Sequence, residues 1–267
     1  MEILGWVRAT TADNFPIGKL LGMEVDLPPI EEQRRIAAIL DHAVTLRIKR
    51  QVAVDLLDLL PGRLFASMPS EPASRLPLGN LIASTQLGLV RSARQLGTEG
   101  TFEYVKMDAI SADGRFAPTA FKKTTATEPE AAKYTVFDGD LLFNTRNTEE
   151  LVGKTAIYRG PARLFNNNLL RLRFLEGVKA EYVHGFLVSD SGRKQLAARK
   201  AGTTSVFAIY ARDLMTVEVP VPDLARQTKF AKRVRAAGHY RSILVKQSVE
   251  MDGMFAALQA RAFAGEL

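Results

Sequence analysis

Between residues 29 and 68, apolar side chains recur in alternating steps of three and four. They fall at Ile36, Ile39, Ala43 and Leu46, then Ala53, Leu57, Leu60 and Leu64, with Arg50 as the one break. That spacing predicts a long helix with a single apolar seam, the pattern by which helices pair. Pro29 suits the first helical position, where its missing N–H would be unpaired anyway, and Glu31 and Glu32 put negative charge in the first turn. Pro61-Gly62 predicts a kink or an end near Leu60. The same phase carried into 223–267 gives Phe230, Arg233, Ala237, Tyr240, Leu244, Gln247, Met251, Met254 and Leu258, behind Asp223 as N-cap. Long helices of this kind are stable only against a partner. An antiparallel or symmetry-related pair is therefore expected, assembled through seam positions that include Leu46, Leu57, Leu64, Tyr240, Leu244 and Met251.

The residues between follow other periods. Residues 69–76 are rich in Pro, Ser, Ala and Glu and read as a linker. Phe102–Ile110 alternates as a strand, and Ala112-Asp113-Gly114-Arg115 is a turn. Glu128–Lys133 is a short helix capped by Thr127. Asp138-Gly139-Asp140 turns into the apolar Leu141-Leu142-Phe143, and Thr155–Tyr158 and Leu169–Leu175 are further strands. Ala180–Lys200 has an apolar side at Tyr182, Val183, Phe186, Leu187 and Leu196 and reads as one amphipathic helix, stopped by Gly202. The predicted fold class is α+β: one α/β domain, residues 69–222, inserted between two long coiled-coil-forming helices, 29–68 and 223–267. Residues 1–28 end in a strand-like run, Leu20–Leu27. They read either as the tail of a domain whose body is absent or as an arm packed on the rest of the chain.

The two long helices share more than their phase. Placing Gln33 on Gln227, an offset of 194 positions, superimposes Pro28 on Pro222, Ile30 on Leu224, Ile36 on Phe230, Ala37 on Ala231 and Leu40 on Val234. Everything between the two copies then reads as one inserted globular unit.

Composition narrows the chemistry. The 267 residues are 46% hydrophobic, enough for a sizeable core, and no apolar run approaches a membrane span. There are no cysteines, so thiolate metal sites and disulfides are excluded; a reducing cytoplasm fits. The formal charge of +7 and pI near 9.7 favour a polyanionic partner. No phosphate-binding loop or dinucleotide fingerprint occurs, and His42, His184 and His239 lack zinc-ligand spacing. Asp138 and Asp140, with Glu149, Glu150 and Lys154 nearby, read as a turn and solvated charge before they read as a metal site. No catalytic residue, metal or cofactor is expected.

The binding signal lies in four polar loops of a basic domain. They hold Arg91 and Arg94 after Gly88; Asn144, Arg146 and Asn147 after Phe143; Asn167 within Asn166-Asn167-Asn168; and Thr203 and Thr204 after Gly202. Arg and Asn can make paired hydrogen bonds to guanine and adenine edges, while Lys, Ser and Thr more often hold phosphates. An RNA-binding module is disfavoured, because no aromatic-studded sheet motif for base stacking occurs.

Several of these stretches together resemble the specificity (S) subunit of type I restriction–modification systems. Leu27-Pro28-Pro29-Ile30-Glu31-Glu32-Gln33, continued by Arg34-Arg35-Ile36-Ala37, matches the start of the family's long helices, and Val221–Gln227 is a degenerate second copy. The family's Gly-Asp-Leu-Leu-Phe strand is at Gly139–Phe143, followed by Arg146 and Leu151-Val152-Gly153-Lys154. Asn168–Leu172 and the closing Arg261–Leu267 also match. The resemblance implies a half-length, non-catalytic subunit with one target-recognition domain. It reads half of a split site in double-stranded DNA, with Lys154 joining the DNA-binding set. The helices would space the half-sites and dock methyltransferase (M) subunits. A restriction/translocase (R) subunit would join through the complex, and a second S chain could pair with this one. The alternative is a truncated assembly fragment that docks without productive DNA binding.

Overall fold

The computed structural model describes residues 28–68, 74–202 and 205–263. The run before Pro28, most of the expected linker, Thr203 and Thr204, and the closing residues 264–267 lie outside the described residues. The chain divides into two compact units: Met1–Lys49 with Gln247–Leu267, and Arg50–Lys246.

In chain order the first elements are α1 (Ile30–Asp58), α2 (Leu60–Ala66), β1 (Ser74–Pro77), β2 (Ile82–Leu87), β3 (Phe102–Val105) and β4 (Lys122–Thr124). Then come α3 (Glu128–Tyr134), β5 (Thr135–Val136), β6 (Leu141–Asn144), β7 (Arg146–Asn147), β8 (Thr155–Ile157), β9 (Arg163–Phe165) and β10 (Leu169–Phe174). The chain continues through α4 (Ala180–Val188), α5 (Asp190–Ala197), β11 (Ala201–Gly202), β12 (Phe207–Ala208), α6 (Ala211–Leu214) and β13 (Glu218–Val221), and closes with α7 (Leu224–Phe263).

The repeated stretch builds the same local structure twice. Gln33 Nε2 donates to Pro28 O at 2.7 Å, and Gln227 Nε2 donates to Pro222 O at 3.0 Å. Each proline carbonyl precedes its helix, and the glutamine reaches back to satisfy it. Asp223 caps α7, its Oδ1 accepting from Arg226 N at 2.8 Å. In the second copy Gln227 is buried, and its Oε1 also accepts the backbone N–H of Lys179 at 3.0 Å.

The seams differ from expectation at defined positions. On α7 the inward residues are Phe230, Val234, Ala237, Arg241 and Leu244 in the second unit, and Ser248, Met251, Phe255 and Leu258 in the first. Tyr240 is 56% exposed and Met254 72% exposed. From each shared position the next inward step is four, then three; the expected order was the reverse. Apolarity favoured Tyr240 over Arg241, but Arg241 turns inward because Asp58 of α1 accepts its guanidinium. On α1, Leu57 and, on α2, Leu64 are half-buried, while Leu46 is exposed. Its neighbour Arg47 donates to Asp252 at 2.7 Å and lies 4.8 Å from the Phe255 ring centre. Within the second unit Asp58 meets Arg241 and Phe65 meets Phe230, so one segment ascends as the other descends: an antiparallel arrangement.

The insert is built on a four-stranded antiparallel sheet ordered β2-β10-β6-β8. The inner strand β6 is buried along its whole length because both its faces are covered, whereas the edge strand β2 (Ile82–Leu87) is largely polar and exposed. Leu141, Phe143, Leu170 and Leu172 face a core with Val183, Phe186, Leu187 and Leu196 of α4 and α5. Leu142, Ala156 and Leu169 face a second core with Val105, Ile110, Val136 and Phe165. A mixed sheet, β4-β3-β9-β5, lies beyond it, and β1 pairs with β13 where the chain enters and leaves the insert. The Thr127 cap, the Gly139 turn at φ +90° and the Gly114 turn at φ +86° fall where the sequence places them. The single helix expected over 180–200 is two: Ser189 is extended at ψ 163° and caps α5, accepting from Gly192 N at 3.3 Å. A Cβ on Gly192 would lie 2.1 Å from Phe186 O, so only glycine permits this corner. Gly202, expected as a helix stop, is the last residue of β11.

Candidate nucleic-acid interface

The central sheet gathers the polar loops at one end. Leu87 at the close of β2 pairs with Leu170, Asn144 at the close of β6 pairs with Leu169, and Phe143 pairs with Thr155 at the start of β8. The segments leaving those points are therefore neighbours, and hydrogen bonds join them. Leu89 N donates to Phe165 O at 2.8 Å. Thr145 donates to Asn168 O through its backbone N at 2.8 Å and its hydroxyl at 2.9 Å, and Ile209 N donates to Thr145 O at 2.9 Å. The small sheet β11-β12-β7 sets Phe207 between Gly202 and Asn147. Gly88 is required where two of these segments cross, since a Cβ there would lie 2.2 Å from Phe165 O.

Within this cluster the expected residues take different roles. Arg146 is exposed on β7, its backbone paired with Ala208; no partner holds its side chain among the described residues. Arg94 is exposed in a single 3-10 turn, Ala93–Gln95, capped by Ser92. Asn167 is half-buried at the tip of its turn, whose shape comes from its neighbours. Asn166 Oδ1 accepts from Asn168 N at 2.8 Å, and Asn166 Nδ2 donates to the Tyr104 hydroxyl at 3.2 Å. Asn147 is half-buried and its Oδ1 accepts from Thr148 N at 2.9 Å. Lys154 is half-buried, with Nζ 3.5 Å from Ile110 O.

Two of the expected residues are committed to the protein interior. Arg91 is only 11% exposed: Nη2 donates to Glu130 Oε2 at 2.9 Å and to Thr125 O at 3.0 Å. The guanidinium holds the Glu130 carboxyl below its ordinary range. Asn144 is fully buried, because β6 has both faces covered. Its Oδ1 accepts from Arg146 N at 3.2 Å, and its Nδ2 has no protein partner. These two shape the loops that Arg94 and Arg146 project from. Lys122 and Lys123, absent from the sequence-derived set, are exposed on β4, and Lys123 pairs through its backbone with Gly97 in the Arg94 loop. Adjacent lysines in a polar strand were the available signal.

The Asp138–Asp140 turn is occupied by arginines. Arg159 Nη1 donates to Asp138 Oδ2 at 3.0 Å, and Arg173 donates to Asp140 at 2.7 and 3.0 Å. Among the described residues, no group of three or more His, Asp or Glu is arranged to hold a metal, and no helix is long and apolar enough to cross a membrane.

No model of a known protein family matches the sequence. Two curated proteins do. The EcoKI type I restriction enzyme specificity subunit of Escherichia coli K12 is 26% identical over 149 residues, 53% of this chain and 32% of that protein. A protein named as the MjaX type I restriction enzyme specificity subunit, from Methanocaldococcus jannaschii, is 33% identical over 110 residues, 39% of this chain and 25% of that protein. The chain is a relative of the type I specificity subunits. It matches between a quarter and a third of the length of these curated specificity subunits. The fold is shared as well. A structure described in work on complex assembly and conformational transition of the type I restriction–modification system aligns with TM-score 0.56 at 20% identity. It covers 91% of this chain and 62% of the other. The S subunit from M. genitalium aligns with TM-score 0.52 at 14% identity over 97% of this chain and 68% of its own. The mixed helix-and-sheet architecture with long helices is thus a specificity-subunit fold.

Proposed function

We propose that the chain is a non-catalytic DNA-recognition subunit that reads one half of a split duplex site with the loops at the end of its central sheet. The observation that carries this reading is the convergence of polar loops, from segments far apart in sequence, on one rigid sheet edge. Arg94 and Arg146 project from that edge without internal partners among the described residues. A long donor on a braced strand end suits paired hydrogen bonding to a base edge. Lys154, Lys122 and Lys123 supply phosphate contacts, and Asn147 and Asn167 are short-range donors between them.

In this reading the helices dock methyltransferase subunits, and the larger complex supplies methylation and cleavage. Val52 and Leu56 of α1 are exposed although apolar, as is Leu59 just after it, which favours a further helical or protein layer on that side. The same exposed residues favour the second reading, an assembly fragment that docks without reading DNA.

Titrating the purified chain with random-sequence duplex at several salt concentrations, with and without the methyltransferase subunit, separates them. Recognition predicts an affinity that falls with salt, with a log–log slope of about −0.9 per phosphate contacted. Docking without any duplex binding, in either condition, would establish the assembly fragment instead.

A further inference from the structure

Two carboxylates stand where the inserted domain meets α7, and each is held between one arginine of the domain and one of that helix. Asp58, in the last turn of α1, is buried. Arg241 donates to both its oxygens, through Nε to Oδ1 and through Nη2 to Oδ2 at 3.4 Å, while Arg115 Nε lies 3.0 Å from Oδ1. Glu181, in the first turn of α4, has Oε1 3.1 Å from Arg159 Nη2 and 3.4 Å from Arg235 Nε. The domain-side arginines are themselves braced, Arg115 by Asp113 at 2.5 Å and Arg159 by Asp138 at 3.0 Å.

The apolar contacts at this junction, Phe65 against Tyr182, Phe186 and Phe230, and Tyr182 against Phe230, hold the parts together but are non-directional. The carboxylates supply direction. Arg235 and Arg241 lie about 120° apart around α7 and about 9 Å apart along it, at 3.6 residues per turn and 1.5 Å per residue. A domain tied at both cannot roll on the helix axis. The Asp58 cluster is not there mainly for stability. Burial pushes the Asp58 carboxyl above its ordinary range despite two guanidiniums that oppose the shift. Buried ion pairs of this kind are weak stabilisers, but their directional geometry permits few alternative arrangements of the parts they join. Arg241 and Arg115 keep 25% and 29% of their side-chain exposure, so neutralising Asp58 strands neither charge in a dry interior.

We propose that Asp58, with Glu181 as the weaker second tie, is a positioning residue that fixes the angle of the inserted domain on α7. In doing so it fixes where the sheet-end loops are aimed. Only the consequence for DNA rests on the recognition reading; the tie itself is a property of the free chain.

Because the chain has no cysteine, spin labels can be placed at will. Lys122→Cys on β4 is exposed, and a Cβ at Gly238→Cys on α7 meets nothing within 4 Å. Pulsed dipolar spectroscopy of this doubly labelled chain, without DNA, should give one narrow distance. Asp58→Asn should broaden it at least two-fold or move its centre, Glu181→Gln should do so less, and the Asp58→Asn melting temperature should stay close to the parent's. An unchanged distribution in Asp58→Asn overturns the proposal. Should Asp58→Asn fail to fold, Arg115→Gln removes only the domain-side arm, and an unchanged distribution there overturns it equally. The duplex titration of the unlabelled wild-type chain, which keeps Lys122, is read separately, so loss of the recognition reading and loss of this one are told apart.

Discussion

Phe230→Ala should be among the most destabilising single changes in the second unit. Phe230 is 4% exposed and occupies the point where α7, α2 and α4 meet. Its ring lies 5.5 Å from that of Tyr182 and 6.5 Å from that of Phe65, both edge-on at 79°. It fills the hollow left by Gly185, where a Cβ would stand 2.4 Å from Phe230 Cζ. Phe-to-Ala changes in cores cost roughly 3–5 kcal/mol, with more lost where the site cannot collapse. Here one wall is helix backbone, and two aromatic partners worth about 0.5–1.5 kcal/mol each are lost together, which places the expected loss near the upper end, about 4–5 kcal/mol. For a unit of this size that is a fall of roughly 8–20 °C in melting temperature. Urea unfolding followed by circular dichroism measures it. The geometry also predicts partial rescue: Gly185→Ala alone overpacks the site at about 1–3 kcal/mol, but with Phe230→Ala it fills part of the void, so the double change should cost less than the sum. A loss below about 1 kcal/mol, or strict additivity, would refute this account of the junction.

His184 should make stability fall in acid. Its Nε2–H donates to Gly114 O at 2.8 Å and lies 3.2 Å from Thr155 O, its Nδ1 has no protein partner, and burial holds its pKa below the ordinary value. The unfolded chain therefore takes up a proton that the folded chain refuses. This group costs nothing well above about pH 6.5 and up to about 1.4 kcal/mol per pH unit below it, until the folded pKa is reached. Urea midpoints across pH 7 to 5 should slope less in His184→Gln than in the wild type; equal slopes would remove His184 as the cause. Arg91→Ala should lower the melting temperature and loosen the neighbouring loop, whereas Arg94→Ala should leave the melt unchanged and weaken duplex binding; melting and anisotropy on both variants check the contrast.

Much of the framework was legible because its causes are local. The Leu27–Gln33 stretch and its second copy form the same glutamine-to-proline-carbonyl bond, a contact five residues long. Caps at Thr127 and Asp223 and the Gly139 turn follow from single residue types in fixed positions. What the sequence did not show depended on distant partners. Arg241 turns inward, and Tyr240 outward, because of a carboxylate 183 positions away. Arg91 reads as a free loop arginine until Glu130, 39 positions on, is seen to take it. Asn144 looks like a loop donor, but the strand it ends is covered on both faces. The convergence of the loops depended on the antiparallel order of the central sheet, which periodicity alone does not give.

The most direct test of the recognition reading is target selection with Arg146. It sits on a two-residue strand braced through β12, beside the Asn168 turn, and makes no ion pair with Glu149 or Glu150 among the described residues. Duplexes with randomised sequence are selected by the wild-type chain and by Arg146→Ala, each assembled with the methyltransferase subunit. A base-reading arginine should cost roughly 1–3 kcal/mol of specific binding and relax the selected motif at one position; a phosphate contact would weaken all sequences alike. Identical motifs with identical affinities would contradict the assignment of DNA reading to this end of the sheet.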